Sequence, residues 1–204
     1  MKSIKHILLS MCALGFVANA SAQGPFFGQF DYSAKTGISI AKLCNTNSRL
    51  AFYIGGAAEY YIDEIWSVQP ELIISGQGGR SKIKMDGAKS TTATRLTYLD
   101  IPVLLKLAPF PGSGISVEVG PMMGFCVGGK VKNKTVIDGD RSRVKESIRS
   151  SVNTVQLGAS VGASYVVKDN IGAQIRYNYG FTNVFKTVDN VASQSIEVGA
   201  FYLF

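Results

Sequence analysis

The chain is poor in the residues on which most catalytic and metal sites depend. It has 204 residues but only one histidine, His6, which lies close to the N-terminus. Without the N-terminal segment, no imidazole remains for a Ser-His-Asp triad, a Cys-His pair or a histidine-ligated metal. We therefore expect neither enzyme activity nor a cofactor. Asp138 and Asp140 lack the further ligand spacing of a calcium loop, so we interpret them as part of a turn.

Long apolar runs are also scarce. The longest begins near the N-terminus, where two lysines precede an apolar stretch from Ile7 to Ala18 and a small-residue site that ends at Ala22. This layout predicts a secretory signal peptide over residues 1–22, cleaved between Ala22 and Gln23 to leave residues 23–204 as one domain. An uncleaved anchor is disfavoured because a spanning helix needs roughly 20 apolar residues. A lipoprotein acylated at Cys12 would have a still shorter apolar region.

In place of long runs, the chain has strict alternation. In "VQLGASVGASYVV", from Val155, every second residue is apolar and the residues between are small or polar. The segments "IGAQIRYNYGF", "GISVEVGPMMGFCV" and "QSIEVGAFYLF" repeat this period, which is typical of β-strands. The pattern predicts strands at residues 29–40, 51–62, 66–77, 93–107, 114–128, 152–167, 170–182 and 193–204.

The length of these strands indicates a membrane barrel. Strands of about 9 to 11 residues cross a bilayer when tilted, whereas strands of globular proteins are usually shorter. The connections alternate between short and long, as they do in outer-membrane barrels with short periplasmic turns. We predict an all-β fold, an eight-stranded antiparallel closed transmembrane β-barrel in up-and-down order, monomeric, in the bacterial outer membrane with both termini periplasmic.

Charged residues fall on the face opposite the apolar one, which would line the lumen. An eight-stranded barrel is only wide enough for its own side chains to fill, so we expect these charges to pair. A narrow channel or a proton path remains the alternative. The predicted structural ion-pair network consists of Lys35, Glu59, Glu71, Asp100, Lys106, Glu118, Arg176 and Glu197.

The predicted long loops, taken together with Arg95 at the start of the fourth strand, are basic, with fifteen Lys and Arg residues against five Asp and Glu. Outside an outer membrane, such a surface would meet the phosphates of lipopolysaccharide as well as other membrane lipid. A solvated loop surface with no specific partner is the alternative. Nucleic acid is disfavoured as a partner because no pattern of stacking aromatic residues accompanies the basic residues.

Two local features test the barrel prediction. Pro102 lies within a predicted strand that has neighbours on both sides, so we expect a bulge or a break in the ladder there. Cys44 falls in the first long loop and Cys126 near the outer end of the fifth strand; the first and fifth strands lie on opposite sides of the ring, whereas a disulfide needs α-carbons within about 7 Å. We therefore expect no bond between them unless the first long loop folds inward.

Several segments resemble the PorT-like outer-membrane β-barrel family. These are "SVQPELIISGQGGR", "LTYLDIPVLLKL", "VEVGPMMGFCVGGK", "IGAQIRYNYGFTNV" and "IEVGAFYLF", in this order along the chain. The resemblance implies a barrel without catalytic residues, and one branch of the family assists a protein secretion system, so secretion-complex proteins are candidate partners. Phe204 matches the aromatic C-terminal signal by which the barrel-assembly machinery recognises its substrates.

Overall fold

The computed structural model describes residues 28–43, 47–85, 88–137, 140–148, 152–168, 170–182, 184 and 192–204. The predicted signal peptide, its cleavage site at Ala22 and Gln23, Cys44 and Asp138 lie outside the described residues. The described ranges contain no helix that is long and apolar enough to cross a membrane.

Eight antiparallel strands form a closed ring, as predicted. Each strand pairs with its neighbours in sequence, and the first strand pairs with the last. A short ninth strand, β6, lies outside the ring and pairs with β5, and β5 in turn pairs with β7. The strands are β1 Phe30–Leu43, β2 Arg49–Tyr61, β3 Trp66–Met85, β4 Ala88–Leu107, β5 Ile115–Ile137, β6 Asp140–Ser147, β7 Val155–Lys168, β8 Ile171–Gly180 and β9 Ser193–Leu203.

The burial pattern is the reverse of that of a water-soluble barrel. Along β8, Ile175 is 54% exposed while the neighbouring Arg176 is 2% exposed. On β7, Val161 points outward and Ser160 is buried. This alternation places polar and charged side chains in the lumen and apolar side chains on the outer wall, where hydrocarbon would cover them.

Aromatic side chains lie at both ends of the outer wall. Near the short turns, Trp66 is 39% and Tyr202 is 47% exposed, and the ring of Tyr202 lies edge-on to that of Phe204 at 5.5 Å. Near the long connections, the rings of Tyr179 and Phe181 also meet edge-on. Aromatic residues at these two levels are typical of the membrane interfaces of a barrel.

One predicted loop is wrong. Residues 129–151 were expected to be a long connection, but β5 continues to Ile137 and turns back as β6. The strands β3 and β4 also extend further than their alternation predicts and form a hairpin at the same end. Together these strands make a four-stranded ribbon, β3-β4-β5-β6, that projects beyond the ring. The sequence pattern is weak here because a ribbon outside the membrane has no apolar face to maintain.

Pro102 interrupts the sheet on one side only. The pairing of β3 with β4 skips the positions of Ile101 and Pro102 and then resumes in the same register. On the other side, Pro102 pairs with Met122 of β5. The predicted break is thus confirmed, but no bulge occurs there. Pro70 and Pro121 fall in similar gaps of the β2–β3 and β4–β5 ladders, because proline has no backbone N–H to donate.

A bulge is present in the middle of the β4–β5 ladder, five residues from Pro102 along β4. Thr97 pairs with Gly128 while Tyr98 pairs with Cys126, so Val127 is an extra residue on β5. The extra residue moves each following side chain of β5 to the opposite face of the sheet. Gly129 is therefore buried and Lys130 exposed, although continued alternation would place Lys130 in the lumen.

Candidate functional sites in the lumen and at the outer rim

The centre of the lumen is an ion-pair network around Arg176. Its guanidinium donates to both oxygens of Glu71, at 2.6 and 2.9 Å, and through Nε and Nη2 to Glu118 at 2.8 and 2.6 Å. Lys35 donates to Glu71 at 2.6 Å. These four residues come from β8, β3, β5 and β1, so the network ties together strands on all sides of the ring.

A second pair lies closer to the periplasmic end. Nζ of Lys106 is 2.6 Å from Oε2 of Glu59, and the hydroxyl of Ser67 donates to the other oxygen of that carboxylate. Both charged side chains are about one tenth exposed, whereas those of the central network are almost fully buried. The structure therefore brings six of the eight predicted lumen residues into ion pairs.

The remaining two carboxylates lie outside these pairs. Asp100 accepts a hydrogen bond from Ser75 on one oxygen, while its other oxygen has no hydrogen-bond partner among the described residues. Glu197 is 4% exposed and makes no ion pair within the described ranges. The spacing of charges along the sequence predicts which residues face the lumen but does not indicate which of them pair.

Large side chains fill the space around the network. Tyr53 lies across the lumen, and its hydroxyl accepts a hydrogen bond from Gln174 at 2.9 Å. A Cβ on Gly199 would be 2.2 Å from that hydroxyl, so this position has room only for glycine. The ring of Phe201 occupies the space beside Gly172, where a Cβ would lie only 2.1 Å from Cζ of Phe201. The glycines on the lumen face thus accommodate the rings of other residues.

An apolar cluster covers the outer end of the lumen near β4 and β5. Leu96, Tyr98 and Cys126 point inward from the strands and pack with Val152 and Val184 from the connections on either side of β7 and β8. All five are at most 3% exposed. Sequence reasoning did not find this cluster, because isolated valines in polar connections carry no periodic signal.

At the outer rim, basic residues gather on one sector of the wall. Cross-strand pairing places Arg95 beside Gly78 on one side and Lys130 on the other, with Arg80 one diagonal step away. Arg80, Arg95 and Lys130 are exposed. The guanidinium of Arg49 reaches the same place, since its Nη1 donates to the backbone carbonyl of Gln77 at 3.2 Å.

Arg49 carries an electrostatic sign of this crowding. It lies at the outer end of β2, beyond Leu50, the last lipid-facing residue of that strand. Partial burial, followed by the positive charges of Arg95 and Arg80, lowers the pKa of Arg49 from its usual value. Like charges are therefore held close together at the rim without an acidic partner among the described residues.

The sequence matches a known family over residues 18–186, described as "Outer membrane protein beta-barrel domain". The chain belongs to this family. Together with the inverted burial pattern, the match places the protein in the bacterial outer membrane as a β-barrel. A comparison with curated proteins finds no match.

Solved structures of other outer-membrane barrels are similar in fold. Neisserial surface protein A shares 18% sequence identity with this chain, covers 92% of it and 100% of its own length, and has a TM-score of 0.52. Ail, the attachment invasion locus protein of Yersinia pestis, shares 16% identity over 88% of this chain and 100% of its own, with a TM-score of 0.44. OprG from Pseudomonas aeruginosa shares 12% identity over 87% and 97%, with a TM-score of 0.40.

The lumen and the rim differ in how far a ligand can reach their charged groups. Within the described residues, no cluster of three or more His, Cys, Asp or Glu side chains is placed to hold a metal ion. The five predicted carboxylates of the lumen are each at most 7% exposed. The rim, in contrast, presents its cations on the outer surface, where a ligand can reach them.

Proposed function

We propose that this outer-membrane barrel has a structural and surface-interaction role, exercised through its basic outer ribbon and rim, and that it neither catalyses a reaction nor conducts ions. The observation that carries the proposal is the four-stranded ribbon beyond the ring. The segments 80–95 and 130–147, which form most of it, contain eleven Lys and Arg residues against four Asp and Glu.

The filled lumen supports the part of the proposal that concerns conduction. A conducting pathway needs a continuous polar opening, whereas Arg176 bridges Glu71 and Glu118 across the centre and an apolar cluster lies above it. Planar-bilayer recordings of the purified protein should therefore give no discrete conductance steps. Regular steps that disappear on blocking the lumen would favour the narrow channel instead.

The expected partners are anionic components of the cell surface, with lipopolysaccharide phosphates foremost. Guanidinium and ammonium groups bind phosphate through charge-assisted hydrogen bonds, and their density on the ribbon raises the local attraction for anions. We expect the barrel-assembly machinery to be a partner only during biogenesis, through Phe204.

The same ribbon supports a second candidate, an accessory subunit of a secretion or assembly complex. One branch of the PorT-like family, to which the sequence shows a resemblance, has such a role. Among the described residues, β6 pairs on one edge only, with β5. An unpaired strand edge offers backbone donors and acceptors to a strand of another protein.

Affinity capture from intact envelopes, after extraction in a mild detergent, separates the two candidates. The variants are wild type, R141Q/R143Q/K145Q on β6, and K42Q as a control at the outer end of β1. Under the main proposal, the β6 variant retains less lipopolysaccharide than wild type and no protein partner is stoichiometric. Stoichiometric recovery of the same envelope proteins with wild type and K42Q would favour the accessory subunit.

A further inference from the structure

Three basic residues of the rim share one face of the sheet by virtue of its register. Arg95 and Lys130 are directly opposite each other on β4 and β5, so their Cβ atoms are about 5 Å apart. Arg80 pairs with Ala93, two residues from Arg95, which makes it a diagonal neighbour at roughly 7 Å. Arg49 pairs with the buried Ala41 on β1, but its long side chain reaches β3 beside this group, where Nη1 donates to the carbonyl of Gln77.

Position 78, beside the basic group, has room only for glycine. Gly78 adopts φ of 139° and stands directly beside Arg95 in the β3–β4 ladder. A Cβ here would lie only 2.2 Å from the carbonyl oxygen of Thr94, and 3.5 Å from Nη1 of Arg49. Arg49 thus lies within contact distance of the backbone position that faces Arg95.

Holding these charges together is unfavourable for the protein alone. Like charges directly opposite each other on a sheet are destabilising. The four ion pairs between described residues all lie in the lumen, so none of them offsets the charge of the rim. A group that costs stability in the free protein is expected where it binds something of opposite charge.

The position of the group along the barrel identifies the environment of the ligand. The outermost lipid-facing apolar side chains below it on β3 and β4 are Ile74 and Leu99. Arg95 is four residues above Leu99, about 13 Å along the strand and roughly 10 Å along the membrane normal for a tilted strand. The headgroup layer is about 5 to 7 Å thick on each side of the hydrocarbon, within reach of a flexible guanidinium.

The rest of the wall differs at this level. At the outer ends of β2, β7 and β8 the outward side chains are Leu50, Val155 and Phe181, which are 59%, 43% and 64% exposed. A general attraction for the membrane surface would not require exposed cations to adjoin one another on one sector. Among the described residues, the adjacent exposed cations are those of β3, β4 and β5, whereas Lys42 stands alone at the outer end of β1. This concentration indicates a site of the size of one headgroup.

The bulge at Val127 is part of this site. Without the extra residue, Lys130 would face the lumen, and the sector would lose the cation opposite Arg95. Bulges often reorient a side chain beside a functional site. The bulge thus adds Lys130 to the cations on the outer wall.

We propose that Arg49, Arg80, Arg95 and Lys130 form a binding site for the phosphate of one outer-leaflet lipid of the lipid A type, held against the outer wall. This inference rests on the proposed surface role and names its ligand and location. The three guanidinium groups can each offer two parallel N–H donors to a phosphate, and Lys130 adds a fourth positive charge. Thr97 and the small residues Gly76 and Gly128 form the row below the cations and leave space for the headgroup sugar.

The test is a titration of the purified full-length protein in detergent with lipid A that carries both phosphates, followed by native mass spectrometry. Lipid A with the phosphates removed provides the ligand control. The variants are R80Q/R95Q/K130Q, the charge-conserving R80K/R95K, and K42Q as a matched loss of an exposed cation on another sector. A heat-modifiable band on gels checks that each variant is folded.

We expect wild type to bind the phosphorylated lipid at least tenfold more tightly than the dephosphorylated one. R80Q/R95Q/K130Q should lose this preference, R80K/R95K should retain part of it because lysine cannot bind phosphate in a bidentate manner, and K42Q should change affinity less than twofold. Equal affinity of wild type for the two lipids, or an unchanged preference in the folded triple variant, would overturn the proposal. Binding of inorganic pyrophosphate as tight as that of lipid A would also overturn it, in favour of a soluble anion.

The result can be separated from that of the proposed function. R141Q/R143Q/K145Q leaves the rim intact, so it should bind lipid A like wild type even if it fails in envelope capture. If the rim variant loses the preference while the β6 variant keeps it, the lipid site stands whatever the outcome of the capture experiment.

Discussion

The lumen and the outer rim of this outer-membrane barrel arrange charge in opposite ways. In the lumen, Lys35, Lys106 and Arg176 each contact a carboxylate at 2.6 Å. At the rim, Arg95 stands directly opposite Lys130, and no ion pair of the described residues reaches them. In the lumen, six of the eight predicted charged residues pair within the protein, so breaking a pair leaves a buried charge and should destabilise the barrel. The rim cations make no ion pair with the described residues, and this indicates a partner outside the protein.

The largest expected effect comes from breaking the lumen network at its centre. Arg176→Met leaves Glu71 and Glu118 buried with one fewer cation, and should lower the free energy of unfolding by about 3 to 5 kcal/mol. Urea unfolding in lipid vesicles, followed by the mobility shift on gels, measures the change. R176M/E118Q, which leaves Glu71 paired with Lys35, should recover part of the loss. A wild-type stability of R176M alone would mean that the network is not structural.

A smaller effect is expected from filling the space that the lumen reserves for Phe201. A Cβ on Gly172 would be 2.1 Å from that ring, whereas a Cβ on Gly56 would meet nothing closer than 3.4 Å. Gly172→Ala should therefore destabilise the barrel by about 1 to 3 kcal/mol, and the matched Gly56→Ala should have little effect. Equal unfolding midpoints for the two variants would contradict the tight packing of the lumen.

The Lys106–Glu59 pair should be weaker than the central network because it is closer to water. A double-mutant cycle with K106M and E59Q, measured by urea unfolding, should give a coupling free energy of about 1 kcal/mol. A coupling free energy as large as the loss of unfolding free energy caused by R176M would contradict this prediction. It would mean that the two sets of ion pairs are equally shielded from solvent.

At the rim, removal of a charge should not lower the free energy of unfolding, in contrast to the lumen. Arg95→Gln takes away the repulsion with Lys130, so the free energy of unfolding in a zwitterionic detergent should stay the same or rise by up to about 0.5 kcal/mol. The same substitution in vesicles that contain lipid A should lower stability, because a bound lipid stabilises the folded state. A loss in the zwitterionic detergent would mean that Arg95 makes a stabilising contact within the protein.

The sequence was sufficient to predict the ring, because the constraint that creates it acts on each residue separately. Each strand residue faces either hydrocarbon, as Ile175 does, or the lumen, as its neighbour Arg176 does. This alternation imposes the period of two. For the same reason, all eight predicted lumen residues are buried. Pairing within the lumen could not be predicted, since Arg176 and Glu71 are 105 residues apart and meet only when the ring closes.

The ribbon and the rim were beyond the reach of periodicity. Outside the membrane no apolar face is required, so the pattern weakens where β3, β4 and β5 continue and where β6 begins. The apolar cluster that includes Val152 and Val184 depends on connections that fold over the lumen, and no local signal marks such residues.

By itself, the sequence determined an alternating, outward-apolar chain of strands long enough to cross a bilayer, and hence a barrel in the outer membrane. The tertiary structure decided which charges meet. Pairing between β4 and β5 places the extra residue at Val127, and this single step turns Lys130 from the lumen to the wall beside Arg95. The reason is that facing is a property of a strand in register with its neighbour, and the sequence of one strand does not contain that register.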